Sequence, residues 1–345
     1  MRPDPKKQKK HINEIRTDID RIIRFIESEN YDDSSRIEIE ALKMACAVYQ
    51  GITESPLPVD YSNPKIRECC YYVAAAMDLS RYIKTIDDKR KLKKARHHLE
   101  LIGSGGFGIS ATYQKQQYHN SVIYERLRAH IGNAPSFEVA RDSARKSLEL
   151  MIALAAMSKF DEVILENPNN SNKDPKNPDI IIVDEGIRFG IACKSISSQN
   201  PNNFKQRIRE AIEQIKESIE DENVDPRKGV VFLDVSPLLN HDYLYMPEGI
   251  YSWNDGSGGE VLQQNIAEVM VKLLGEGDGH KLLSPLFADS GLIPCIIAYG
   301  HSVMMVEKDG GFFPHYYKAA YLIYGGDHSQ IKSFTKRLND ALHCQ

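Results

Sequence analysis

"NPDIIIVDEGIRFGIACKS", residues 177–195, is the stretch on which the reading of this chain turns. Two apolar runs flank Asp184-Glu185-Gly186, the pattern of two short strands joined by a tight turn. Along the second strand Ile187, Phe189, Ile191 and Cys193 share one face, and Arg188, Gly190, Ala192 and Lys194 share the other. If Glu185-Gly186 forms a two-residue turn, Asp184 opposes Ile187. Counting back then places Asp179 opposite Ala192 and diagonal to Lys194, on the same face. A four-residue loop preserves this parity, whereas a three-residue loop or a bulge reverses it. The small Gly190 and Ala192 leave open space around the Lys194 side chain.

Working outward, the first third reads as helical. Ile12, Ile15, Ile19, Ile22, Ile23 and Ile26 recur at helical spacing, and "SSRIEIEALKMACAVYQG" and "PKIRECCYYVAAAMDLSRYIKTI" continue the pattern. A basic run and "GSGGFG" at 103–108 lead to "GNAPS" at 132–136, taken as a domain boundary. Beyond it a helix over 137–160 precedes the strand "EVILEN" and the hairpin. Then come the helix "NNFKQRIREAIEQIKESIE", the strand "GVVFLDVS", the helix "VLQQNIAEVMVKLLG", strands "IPCIIAYG" and "YYKAAYLIYGG", and the helix "SQIKSFTKRLNDAL". The expected architecture is α/β: an all-helical domain over 1–132, then a domain over 133–345 with a mixed sheet flanked by helices.

Within "LELMIALAAM", residues 148–157, Glu149 is the one charged side chain. A carboxylate in such a run either lies at the edge of the apolar face or is paired with a cation. Helix with Glu, strand, Pro178-Asp179, hairpin, Lys194 and a second helix together resemble the PD-(D/E)XK nuclease superfamily. The resemblance covers about residues 137–235 and implies a restriction-endonuclease-like core. It implies that Asp179, an acid at position 192 and the Cys193 carbonyl hold Mg²⁺, with Mn²⁺ able to substitute, and that Glu149 completes the metal shell. It gives Lys194 the polarising of water or of the scissile phosphate. A hard cation bound by oxygens suits hydrolysis of a phosphodiester, because it neutralises developing charge and acidifies its water.

Ala192 departs from that pattern, since Ala192-Cys193-Lys194 stands where acid-x-Lys is expected. The acid has moved, the site is degenerate, or the acid has been substituted in this sequence; the reading leans to substitution. In the helix after the hairpin the apolar stripe is Phe204, Ile208, Ala211, Ile212, Ile215 and Ile219. Glu213 points nearly opposite this stripe and Glu210 well away from it, so neither is a natural replacement ligand. Arg207 and Gln214 flank the stripe and are candidates to face nucleic acid in the cleft. Glu166, at the end of "VILEN", is the better candidate for a migrated metal-binding acid, its alternative being a solvent-facing strand end.

The remaining signals bound the function. The chain has 345 residues, 41% hydrophobic and 27% charged, and a net charge of −4 excludes a uniformly basic coat. Six scattered cysteines without a C-x-x-C pair suit a reducing compartment. No stretch is apolar enough to span a bilayer, so the expectation is a cytoplasmic protein with no membrane partner. "GSGGFG" follows a charged helical stretch rather than a strand, and lacks the Lys-Ser/Thr of a P-loop, so it reads as a connection. His97 and His98 have no companion at metal spacing, and Cys193 reads as a core thiol. Lys89, Arg90, Lys91, Lys93 and Lys94 form either a solvated face or a phosphate-contacting surface. The combined expectation is a Mg²⁺-dependent endonuclease acting on DNA, in restriction, antiphage defence or repair. A catalytically silent nucleic-acid-binding scaffold and an RNA-cutting enzyme are the alternatives, and a homo-oligomer or a partner protein is possible.

Overall fold

The computed structural model describes residues 5–28, isolated positions between 43 and 84 and between 148 and 157, residues 159–165 and 178–245, and most of the chain from 251 to 342. It is an α/β structure built on one mixed, seven-stranded sheet. The strands are β1 (Glu162–Leu165), β2 (Ile180–Asp184), β3 (Ile187–Ser195), β4 (Gly229–Asp234), β5 (Tyr251–Ser252), β6 (Cys295–Lys308) and β7 (Gly311–Gly325). The helices are α1 (Pro5–Ser28), α2 (Pro201–Glu220), α3 (His241–Tyr245), α4 (Ser257–Leu274), α5 (Gly279–Phe287) and α6 (Ser329–Leu342).

The hairpin has the expected register. Asp184 pairs with Ile187 and Ile180 with Ile191, around a two-residue turn. Glu185 and Gly186 both have positive φ, 52° and 80°, the left-handed geometry that matches strand twist in such turns. β1 and β2 are antiparallel, whereas β3, β4 and β6 run parallel. Parallel neighbours need crossovers, and α2 supplies the one between β3 and β4. Both β4 and β5 pair with β6, at its first and last residues, and β7 runs antiparallel along it.

Strand parity sorts the core into two clusters. Phe189, Ile191 and Cys193 of β3, with Val230 and Phe232 of β4, join one that includes Ile152 and Ala156, α6 through Phe334 and Leu338, and α1 through Ile15, Ile19 and Ile23. Ala192, Val231 and Leu233 face the other, filled by Phe204, Ile208, Ala211, Ile212 and Ile215 of α2 and by the apolar sides of α4 and α5. The α2 stripe read from the sequence is thus the buried face, and Asn200 caps its start by accepting from the Asn202 N–H at 2.9 Å. Arg337 of α6 pins the hairpin by donating to Asp184 and to the Lys159 carbonyl.

Two expectations need correction. The space beside Gly190 and Ala192 is not open. A Cβ on Gly190 would lie 2.8 Å from Val224 and 3.2 Å from Pro178, and Ala192 is fully buried against the α2 cluster. The strands "IPCIIAYG" and "YYKAAYLIYGG" are also longer than expected: β6 continues past Gly300 to Lys308, and β7 begins at Gly311. Gly300 is there for close approach rather than to end a strand, since a Cβ would stand 2.8 Å from Ile266. The expected boundary at 132–136 lies outside the described residues. Among the described residues no helix is long and apolar enough to cross a membrane.

Candidate active site

β2 starts one residue after Asp179, so its side chain sits beside the end of the β2–β3 ladder. The Asp179 carboxylate is 1% exposed and accepts the Cys193 N–H at 2.6 Å. Its other oxygen accepts from Gln214 Nε2 at 3.2 Å. The Gln214 Oε1 in turn accepts from Lys194 Nζ at 2.7 Å. One neutral amide therefore bridges the carboxylate and the ammonium, both buried, on the sheet face that α2 covers. The parity argument placed Asp179 and Lys194 together. The role of Gln214 differs from the expectation of a nucleic-acid contact, because both ends of its amide are engaged inside the protein.

Around this triangle the other candidates take different places. Ala192, opposite Asp179 in the continued register and two residues before Lys194 on β3, shares their face, and its side chain offers no oxygen. The Cys193 side chain is buried on the opposite face, as expected of a core thiol, leaving its backbone at the site. Glu149 is buried too, at 6% exposure. Its neighbours Leu148, Ile152 and Ala153 pack in the cluster on the Cys193 face, the sheet face opposite to the one on which α2 meets Asp179 and Lys194. Glu166 and the basic run with Lys89, Arg90, Lys91, Lys93 and Lys94 lie outside the described residues.

Arg207 is half exposed and pairs with Glu210 at 2.9 Å. Burial pushes the Glu210 carboxyl up, but hydrogen bonds from Arg207 and Gln206, and the charges of Arg207 and Lys194, bring it below its ordinary value. The Lys194 charge is the smallest of these effects. On the far face of the next strand lies a polar cluster that the sequence reading did not single out. Asp234 pairs across the sheet with Ser195, next to Lys194, and is 2% exposed. Ser236 donates to it at 2.5 Å through its hydroxyl and at 2.9 Å through its N–H. The same hydroxyl accepts the His301 N–H at 3.0 Å and lies 2.8 Å from His301 Nδ1. Burial pushes the Asp234 carboxyl up to about 6, against the lowering effect of the Ser236 bonds. The signal available was "LDVS", an acid and a serine closing an apolar strand.

A hard divalent cation takes oxygen ligands. The Asp179 carboxylate and the Cys193 carbonyl are of that kind; Glu149 offers a third carboxylate, but from the helix packed on the opposite sheet face. Ala192 adds no carboxylate, and among the described residues no group of three or more His, Cys, Asp or Glu is gathered to hold a metal ion. The donor chemistry suits Mg²⁺ or Mn²⁺, but the shell is incomplete. Comparison with family models, with curated proteins and with solved structures finds no match to this chain.

Proposed function

We propose that this chain is built as a metal-dependent phosphodiesterase of the PD-(D/E)XK type, acting on DNA, with its metal-binding acid missing at Ala192. The observation that carries the reading is the Asp179–Gln214–Lys194 triangle on one sheet face beside the end of the β2–β3 ladder. Lys194 is the group to stabilise phosphate charge or to orient water, and Gln214 holds it in place. Asp179 is the acid of the site, fixed by the Cys193 N–H. A bound Mg²⁺ or Mn²⁺ would supply charge neutralisation and an acidified water. The setting in restriction, antiphage defence or repair rests on analogy with the superfamily.

A second reading, a catalytically silent nucleic-acid-binding scaffold, has its own support. Ala192 is packed in an apolar cluster, and Asp179 serves the fold by satisfying a strand N–H. Nicking of plasmid DNA in Mg²⁺ or Mn²⁺ separates the two. Ala192→Glu is expected to raise cleavage by about two orders of magnitude or more over the unaltered chain, and Lys194→Ala added to it to abolish the gain. Folded proteins that bind DNA while neither cuts DNA or RNA would give the scaffold reading the lead. Full-rate cleavage by the unaltered chain would move the acid elsewhere, with Glu166 the next residue to replace.

A further inference from the structure

The cluster at the end of β4 turns on one hydroxyl. Asp234 is 2% exposed. Among the described residues, burial and the two Ser236 bonds act on its carboxyl, with no opposite charge beside them. A serine hydroxyl has one proton to give and two lone pairs to receive with. The Ser236 proton goes to Asp234 at 2.5 Å, and one lone pair takes the His301 N–H at 3.0 Å. His301 Nδ1 stands 2.8 Å from the same oxygen, so it must donate there as well. While Asp234 is ionised, the neutral His301 ring therefore carries its proton on Nδ1 and its lone pair on Nε2.

The titratable side chains around this chain of bonds come from several elements. Lys318 of β7 is the cross-strand partner of His301 and shares its sheet face. Tyr316 stacks on the His301 ring at 5.2 Å, and Tyr299 lies 5.8 Å from it. His241 of α3 lies 2.9 Å from the Ser236 carbonyl. Glu149 is the buried acid of the helix packed on this face, and Ser195 of β3, opposite Asp234, adds no charge. A second cation on His301, beside Lys318, is disfavoured, and so is a buried carboxylate with no cation paired to it. Both costs fall when an arriving proton comes to rest on Asp234.

We propose that Asp234, Ser236 and His301 form a proton relay, in which half-buried His301 takes a proton from solvent and the Ser236 hydroxyl passes one on to Asp234. The incoming proton adds to His301 Nε2. The Nδ1 proton moves to Ser236 Oγ, and the Ser236 hydroxyl proton moves to Asp234 Oδ1. Nε2–H forms as Nδ1–H breaks, the Ser236 O–H is broken and remade, and Asp234 gains the one added proton. The bonds that ran from His301 to Asp234 then run from Asp234 to His301, whose neutral ring bears its proton on Nε2. The two groups titrate as one unit. The end of β4 is thereby a pH-sensitive switch, on the sheet face opposite Asp179 and Lys194.

The test is NMR of the full chain with ring-labelled histidine, where nitrogen and carbon shifts tell Nδ1–H, Nε2–H and imidazolium apart. His301→Gln identifies the signal by its loss. The unaltered chain is expected to show the Nδ1–H ring at about pH 8, and a neutral Nε2–H ring as pH falls through about 6. Asp234→Asn keeps an oxygen for Ser236 but takes no proton. Its His301 is expected to pass from Nδ1–H to imidazolium, with the neutral Nε2–H form lost. The remaining histidine signals report that the variant is folded. The relay is overturned by an Nε2–H ring in the unaltered chain at about pH 8 or by its passage straight to imidazolium. An Nε2–H form that persists in Asp234→Asn overturns it as well. No metal and no cleavage enter this measurement, so its outcome is independent of whether Ala192→Glu restores cutting.

Discussion

Replacing Gln214 by Glu changes one atom of the site and reverses its logic. The amide now donates to Asp179 and accepts from Lys194; a carboxylate can only accept. Its second oxygen would face an Asp179 oxygen at the 3.2 Å now spanned by the amide nitrogen. At an effective dielectric of about 20, that repulsion is about 5 kcal/mol. Attraction to the Lys194 ammonium, at the present 2.7 Å, is about 6 kcal/mol. The charges nearly cancel, which leaves the lost hydrogen bond to Asp179 as the main deficit, about 1.5–3 kcal/mol at pH 7. Two carboxylates in contact share a raised upper pKa. A raised folded-state pKa gives stability that is present at low pH and lost as pH rises through it. The deficit of Gln214→Glu is therefore expected to shrink as pH falls from about 7 to about 5. The same pair of carboxylates suits a hard cation, and Mg²⁺ or Mn²⁺ at a hundred times its Kd would restore about 2.7 kcal/mol at pH 7. Urea denaturation at both pH values, with and without metal, reads all of this. Gln214→Leu, with no charge to add, is expected to keep its deficit under every condition. A Gln214→Glu deficit insensitive to both pH and metal would refute the placement of Gln214 against Asp179.

Two further predictions concern residues outside the triangle. The Asp234 carboxyl is raised to about 6, so its contribution is present below about pH 4 and lost as pH rises through about 6. Asp234→Asn keeps an oxygen for both Ser236 bonds and is expected to exceed the unaltered chain by about 1–3 kcal/mol at pH 8, and to match it near pH 4, in urea titrations. Gly300→Ala puts a methyl 2.8 Å from Ile266 and 3.1 Å from Leu239, and is expected to cost about 1–2 kcal/mol by thermal melting. Ile266→Val added to it should recover part of that loss.

The hairpin was legible because three independent signals agree there: alternation on both strands, glycine at a position needing positive φ, and a turn length that fixes parity. The α2 stripe was legible for a similar reason, since six apolar side chains at helical spacing admit one buried face. The far half of the sheet was less so. "HSVMMVEK" after Gly300 is long enough to be a strand, but the glycine reads locally as a stop, and only its distance from Ile266 shows the opposite. β5 has two residues, too few for any period to register. Gly190 and Ala192 illustrate the same ambiguity in a smaller space: a small side chain marks either an opening or a close neighbour. Here the neighbours are Val224, Pro178 and the face of α2.

Arg207 and Gln214 show what a helical wheel leaves out. Both lie on the same flank of the α2 stripe, at nearly the same angle, so the sequence treats them alike. They are seven residues apart, however, which is two turns and about 10 Å along the axis. α2 follows β3 and runs back over the sheet, so its early turns lie near the strand ends and its later turns lie deeper. Arg207, in the second turn, remains half exposed and meets Glu210. Gln214, two turns on, is level with the start of β2 and reaches both Asp179 and Lys194. Angle decides the face, but height along the helix decides the partner, and height depends on the crossing of α2 over β3. Along α2, Arg207 and Glu210 therefore come one to two turns before Gln214, the side chain that hydrogen-bonds both Asp179 and Lys194.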